Sequence, residues 1–148
     1  MDRNLGAYEL KTKLSQHGLN VTAHDNVFDP QERDPSIFYW AGKKGYIMIT
    51  ADLSFKALFT HQAAIALGRT AVFSFTGNTF NSDARAAAFL RAKPKILRML
   101  KKQPLPFIAT IWLNGDVHLD TANPTPSRKK VHPKDWESYE RVCRAEGI

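Results

Sequence analysis

Gly45-Tyr46-Ile47-Met48-Ile49-Thr50-Ala51-Asp52 is an apolar run that closes on a threonine and an aspartate. Continuous rather than alternating apolar residues suit a strand covered on both faces, as in a parallel sheet flanked by helices. The stretch is predicted to be a buried strand over Tyr46 to Thr50 that delivers Asp52 to its own carboxyl end. In open α/β sheets that edge is where ligands and reacting groups collect.

Helical and strand patterns alternate on either side of it. Residues 4–16 carry Leu5, Tyr8, Leu10 and Leu14 at helical spacing, with Gly18 as a stop, and Val21 to His24 reads as a short strand. Asn26 to Arg33 is a polar loop, and Asp34-Pro35 has the form of an N-cap followed by proline at the first helical position. That helix runs to about Lys44 and Gly45 closes it. Leu53 to Leu67 is predicted to be a helix ending at Gly68, and Thr70 to Phe75 a second buried strand.

Ser82 or Asp83 opens a long basic helix toward Lys102, with Pro94 expected to kink or divide it. Phe107 to Leu113 and Asp116 to Leu119 flank Asn114-Gly115, a pair suited to a type I′ hairpin turn. A Pro/Ser/Lys linker over Thr121 to Lys130 precedes a helix from Pro133 to about Ala145. The expected fold class is α/β: a three-layer α/β/α domain over 1–120 with a mostly parallel sheet and a closing hairpin, followed by a basic linker and helix over 121–148.

The 148 residues fit one domain with a sizeable core. A single cysteine, Cys143, excludes an internal disulfide and any cysteine-based zinc site, which suits a reducing cytoplasm. No apolar run approaches the ~20 residues that span a bilayer, so no membrane role is expected. The net charge of +7 favours polyanionic partners, chiefly nucleic acid or an acidic protein. Basic character can also serve solubility alone.

Asp2, Asp34 and Asp52 lie on separate predicted elements. Converging at one sheet edge, three carboxylates would form a site for a hard cation, because Mg²⁺ and Mn²⁺ take oxygen ligands and waters. Asp52 directly follows a strand. Asp34 competes with a plain capping role, and only Met1 stands before Asp2. Lys43, Lys44 and Lys56, with Arg91, Lys93, Lys95, Arg98, Lys101 and Lys102 on the long helix, are candidate phosphate contacts, or simply a solvated helix face.

Asp2-Arg3-Asn4-Leu5-Gly6, the Gly18 to Phe28 segment with Val21-Thr22-Ala23-His24-Asp25, Asp34 opening a helix, and Gly45 to Asp52 follow one another in order. That succession resembles the PIN-like superfamily, in its branch of VapC-type toxin nucleases. Ala71-Val72-Phe73-Ser74-Phe75, the basic helix and the Pro106 to Ile111 strand with its hairpin are similar to that branch too. The resemblance covers most of residues 2–120. It implies a Rossmann-like α/β/α domain, an acidic pocket for Mg²⁺ or Mn²⁺, and endonucleolytic cleavage of RNA. By position it assigns Asp2, Asp34 and Asp52 as catalytic metal ligands, with Thr76, Asn78 and Asp83 nearest to a fourth polar position. It implies RNA as substrate, with a cognate antitoxin or a second copy as protein partners.

Other chemistries find less support. His24-Asp25 could act as a general-base pair, or His24 as a ligand to a softer metal, but His17, His61, His118 and His132 are scattered without zinc spacing, and no phosphate-cradling glycine loop is present. Trp136 and Tyr139, three apart on the last helix, would pack back on the domain or dock a partner. The functional alternatives are thus a metal-dependent ribonuclease, a catalytically degenerate PIN-like module that binds RNA or protein, and a regulatory α/β domain.

Overall fold

The computed structural model describes residues 33–50, 55, 58–76, 82–121 and 133–147. Its elements are α1 (Asp34–Lys43), β1 (Met48–Thr50), α2 (Phe59–Gly68), β2 (Ala71–Phe75), α3 (Ser82–Lys102), β3 (Phe107–Ile111), β4 (Val117–Thr121) and α4 (Pro133–Glu146). The fold is α/β. The four strands stand in the order β1-β2-β3-β4, with β1, β2 and β3 parallel and β4 antiparallel to β3.

Both sheet faces are covered, which is why the strands are apolar throughout. Ile49, Phe73, Phe75, Phe107, Ala109 and Ile111 meet the inward stripe of α3, built from Ala88, Phe89, Ala92 and Ile96. On the other face Met48, Val72 and Ile108 pack against Ile37 and Phe38 of α1, Ala64 and Ile65 of α2 and Val142 of α4. The last helix therefore shares this core. The Phe59 ring meets Trp136 at a tilt and Tyr139 edge-on, each at 5.6 Å, so both aromatics pack back on the domain.

Several boundaries differ from the sequence reading, each for a local reason. β1 begins at Met48 rather than Tyr46 because α1 ends in a Schellman turn: Tyr46 N–H donates to Ala41 C=O at 2.8 Å and Gly45 N–H to Gly42 C=O at 3.0 Å, with Gly45 at φ +75°. α2 begins at Phe59 because Leu58 is extended and its N–H donates to Phe55 C=O. Gly68 is not the turning residue of α2. A Cβ there would lie 2.7 Å from the carbonyl oxygen of Tyr39, so glycine is needed for α1 and α2 to touch, and Arg69 takes the left-handed conformation at φ 52°.

α3 remains one helix through Pro94, which lies on its solvent side. The hairpin is not type I′, which needs positive φ at both central residues. Gly115 has φ +90°, and Arg69 is the sole described non-glycine residue with positive φ, so Asn114 keeps the ordinary sign. Gly115 N–H instead closes a turn onto Trp112 C=O at 2.9 Å.

Candidate functional site

α1 precedes β1, α2 follows β1 and α3 follows β2, so the first turns of these helices lie toward the carboxyl edge of the parallel strands. That edge holds Asp34. The N-cap position of α1 is Arg33, whose C=O accepts from Ile37 N–H at 3.3 Å and whose side chain makes no capping bond. Asp34 is therefore the first helical residue rather than the cap. A first-turn amide without an intrahelical partner is satisfied from elsewhere: Ser36 N–H donates to Ser138 Oγ at 2.9 Å, and the two hydroxyls pair at 2.6 Å. Arg33 Nε donates to Asp135 Oδ1 at 2.9 Å beside them. α4 thus caps α1 in trans.

Asp34, with its side chain 44% exposed, faces a buried histidine: Oδ2 lies 3.6 Å from His61 Nε2 in the first turn of α2. His61 Nδ1 is 3.1 Å from the hydroxyl of Thr60, and Phe38 meets the ring edge-on at 6.0 Å. The buried imidazole thus stands between the Thr60 hydroxyl and the Asp34 carboxylate.

A row of buried hydroxyls crosses the sheet just inside the same edge. Thr50 pairs in register with Ser74, and Ser74 with Thr110. Two residues beyond Met48, Val72 and Ile108, they face the α1, α2 and α4 side. All three are buried, and Ser74 Oγ has no hydrogen-bond partner. Thr110 donates its hydroxyl to Asp120 on β4. The sequence carries the signal, a hydroxyl residue near the end of each of three apolar runs, but Ser74, Thr110, Asp120 and His61 were not singled out by it.

Of the predicted metal ligands, Asp34 is at this edge, while Asp2 and Asp52 lie outside the described residues; Asp52 is two residues beyond Thr50. Among the described residues no three His, Cys, Asp or Glu side chains converge on a metal position. Of the fourth-position candidates, Thr76 donates its N–H to Ile111 C=O, Asp83 is an exposed residue of the first turn of α3, and Asn78 lies outside the described residues.

The basic candidates divide. Lys43 stands at the opposite end of α1 from Asp34, roughly 14 Å of helix away. There it pairs with Glu146 at 3.2 Å and overlies the Tyr39 ring. Lys44 is exposed beside it, and Lys56 lies outside the described residues. Arg91, Lys95, Arg98 and Lys102 follow one stripe of α3 at i, i+4, i+7 and i+11. Lys95 is engaged by Asp116, which holds that carboxyl below its usual range. Arg91, Arg98 and Lys102 are exposed.

Among the described residues no helix is long and apolar enough to cross a membrane. No protein-family model, curated protein or solved structure matches the chain.

Proposed function

We propose that the chain is a metal-dependent endoribonuclease of PIN-like type, with a Rossmann-like fold, acting as the toxin of a toxin–antitoxin pair in the cytoplasm. Asp2, Asp34 and Asp52 would hold Mg²⁺ or Mn²⁺. The observation that carries this reading is the placement of Asp34. Its carboxylate stands half exposed at the carboxyl edge beside His61, while Ser138 caps the helix that Asp34 opens.

The donor chemistry suits the ion. Carboxylate oxygens are the ligands Mg²⁺ and Mn²⁺ prefer. The chemistry supplied by the ion when bound is charge stabilisation on a phosphate and a more acidic water. The chain's own part is positional. His61 lies beside Asp34, the buried apolar strands below exclude bulk water, and the basic stripe of α3 would attract the RNA backbone through its positive charge rather than by contacts next to the ion.

Under this reading the partners are RNA and a cognate antitoxin, with a homodimer as the further assembly. The basic stripe of α3 supports a second reading independently of the acids: a degenerate PIN-like module that binds RNA or a protein without cutting.

Single-stranded RNA incubated with the protein separates the two. Cleavage is expected with Mn²⁺, is stopped by EDTA and is abolished by Asp52→Asn in a folded protein. Cleavage that survives EDTA or Asp52→Asn overturns the metal mechanism. Binding without cleavage, weakening steeply with salt, selects the second reading.

A further inference from the structure

Trp112 directly follows β3 at the carboxyl edge of the sheet, and it is 47% exposed. It is not loosely held. Its N–H donates to Asp116 C=O at 2.8 Å, and its C=O accepts from Gly115 N–H at 2.9 Å. The turn beyond it is fixed as well. Asp116 N–H donates to Asn114 Oδ1 at 2.9 Å and Asn114 Nδ2 to Asp116 Oδ2 at 3.1 Å. Asp116 also pairs with Lys95 of α3, and Gly115 lies so close to Arg91 that a Cβ there would overlap it. An exposed indole is thus carried on a hairpin locked to the helix behind it.

The ring meets His118 edge-on at 5.5 Å, an arrangement that occupies at most one face of either ring. His118 lies opposite Thr110 in the β3–β4 register, and Thr110 donates to Asp120. Trp112, His118 and Asp120 therefore share the side of the sheet on which α1 and α2 sit, the side that also carries Asp34. There α1, α2 and α4 pack on β1, β2 and β3, whereas His118 and Asp120 of β4 stay exposed. Neighbouring strands lie ~4.8 Å apart, so the end of β3 stands about 10 Å across the edge from the end of β1.

A flat apolar ring held rigidly at the surface suits a planar ligand, and nucleobases of any sequence stack on such a ring. Rigid placement lowers the ordering cost of binding. The Asp120 carboxylate repels phosphate, so a strand crossing this face would turn its bases rather than its backbone toward the rings. Attraction for the strand as a whole comes from the net charge of +7. The other exposed tryptophans lack this arrangement: Trp136 packs against Phe59, and Trp40 stands in the last turn of α1, away from the carboxyl edge.

We propose that Trp112, backed by His118, is a base-stacking platform that holds an unpaired nucleotide of RNA at the carboxyl edge of the sheet. The span of about 10 Å to β1 lies within the ~4 or more nucleotides that a single-strand-binding face covers. That this nucleotide neighbours the cleaved phosphate rests on the nuclease reading; the stacking does not.

Binding is measured in EDTA, so that hydrolysis plays no part. Affinities for a single-stranded RNA, and for the same ribose-phosphate strand lacking bases, are compared in wild type, Trp112→Ala, Trp112→Phe and Trp40→Ala. Trp112→Ala should bind the RNA about tenfold or more weakly. Its salt dependence should stay that of wild type, because no phosphate contact is lost. Trp112→Phe should keep most of the affinity and Trp40→Ala all of it, and the base-free strand should bind wild type and Trp112→Ala equally. In Trp40→Phe/Trp136→Phe, which leaves Trp112 as the sole tryptophan, RNA should quench the indole fluorescence as it binds.

Equal RNA affinity in wild type and Trp112→Ala overturns the platform, as does the same loss on the base-free strand. Bound RNA that leaves the Trp112 fluorescence unchanged also overturns it. A dimer in sedimentation that dissociates in Trp112→Ala, with RNA affinity intact, gives the ring to a second copy of the chain and overturns RNA as its ligand. Wild type that shows Trp112-dependent binding but never cleaves RNA with Mn²⁺ removes the nuclease reading and leaves the platform standing. Mn²⁺-dependent cleavage with an affinity indifferent to Trp112 does the reverse.

Discussion

Ser138→Ala should loosen the end of α1 that carries Asp34. Ser138 is fully buried, and its hydroxyl accepts from Ser36 N–H at 2.9 Å and pairs with the Ser36 hydroxyl at 2.6 Å. The substitution leaves the amide without a partner where water does not reach, a loss of about 1–3 kcal/mol. Ser36 Oγ keeps a longer bond to the Ser138 carbonyl at 3.4 Å, so the hydroxyl is not wholly orphaned and about 2 kcal/mol is expected overall. At about 2–4 °C per kcal/mol, the melting temperature should fall by about 4–8 °C. Urea unfolding of the single variants and of the Ser36→Ala/Ser138→Ala double variant gives the coupling energy, expected at about 1 kcal/mol. A change below about 0.5 kcal/mol in Ser138→Ala, the range of an ordinary surface substitution, would refute the trans-capping account.

Two further expectations concern the same helix layer. Gly68→Ala should destabilise by about 1–3 kcal/mol in urea, because the new methyl would sit 2.7 and 2.8 Å from Tyr39 backbone atoms and force α1 and α2 apart; stabilisation, as helix propensity alone predicts, would contradict the close contact. The Tyr39 phenol is pushed up to about 12 by its hydrogen bond to Glu146, by burial and by the Glu146 charge. The folded chain thus keeps this proton longer than the unfolded chain, so the contribution to stability is present below pH about 10 and is lost as the pH climbs toward 12. Ultraviolet titration of wild type against Tyr39→Phe should show this late phenol, and Glu146→Gln should return it toward 10; ionisation near 10 in the wild type would contradict the pairing.

The strands were legible because burial on both faces leaves an unbroken apolar signature, and Gly45 marked its turn correctly. The start of α2 was not, since Phe55, Leu58 and Phe59 keep helical spacing through a turn that is not α-helix. Gly68 was read as punctuation, whereas its missing side chain serves a contact between helices distant from any local pattern. Asp34 looked like a cap because Asp-Pro commonly is one, and its actual relief comes from a serine 102 residues away from Ser36. No local reading reaches that far. The hydroxyl row became meaningful once strand register aligned Thr50, Ser74 and Thr110.

The central claim is that Asp34 belongs to a divalent-ion site at the carboxyl edge of the sheet. Titration of Mn²⁺ into isotope-labelled protein, followed by paramagnetic broadening of the amide signals, tests it most directly. Broadening should centre on Asp34 and Thr50 and should require at least about tenfold more Mn²⁺ in Asp34→Asn, the loss of one charged ligand being worth about 1.4 kcal/mol or more. Broadening centred instead on Asp116 or Glu146, or unchanged by Asp34→Asn, would contradict it.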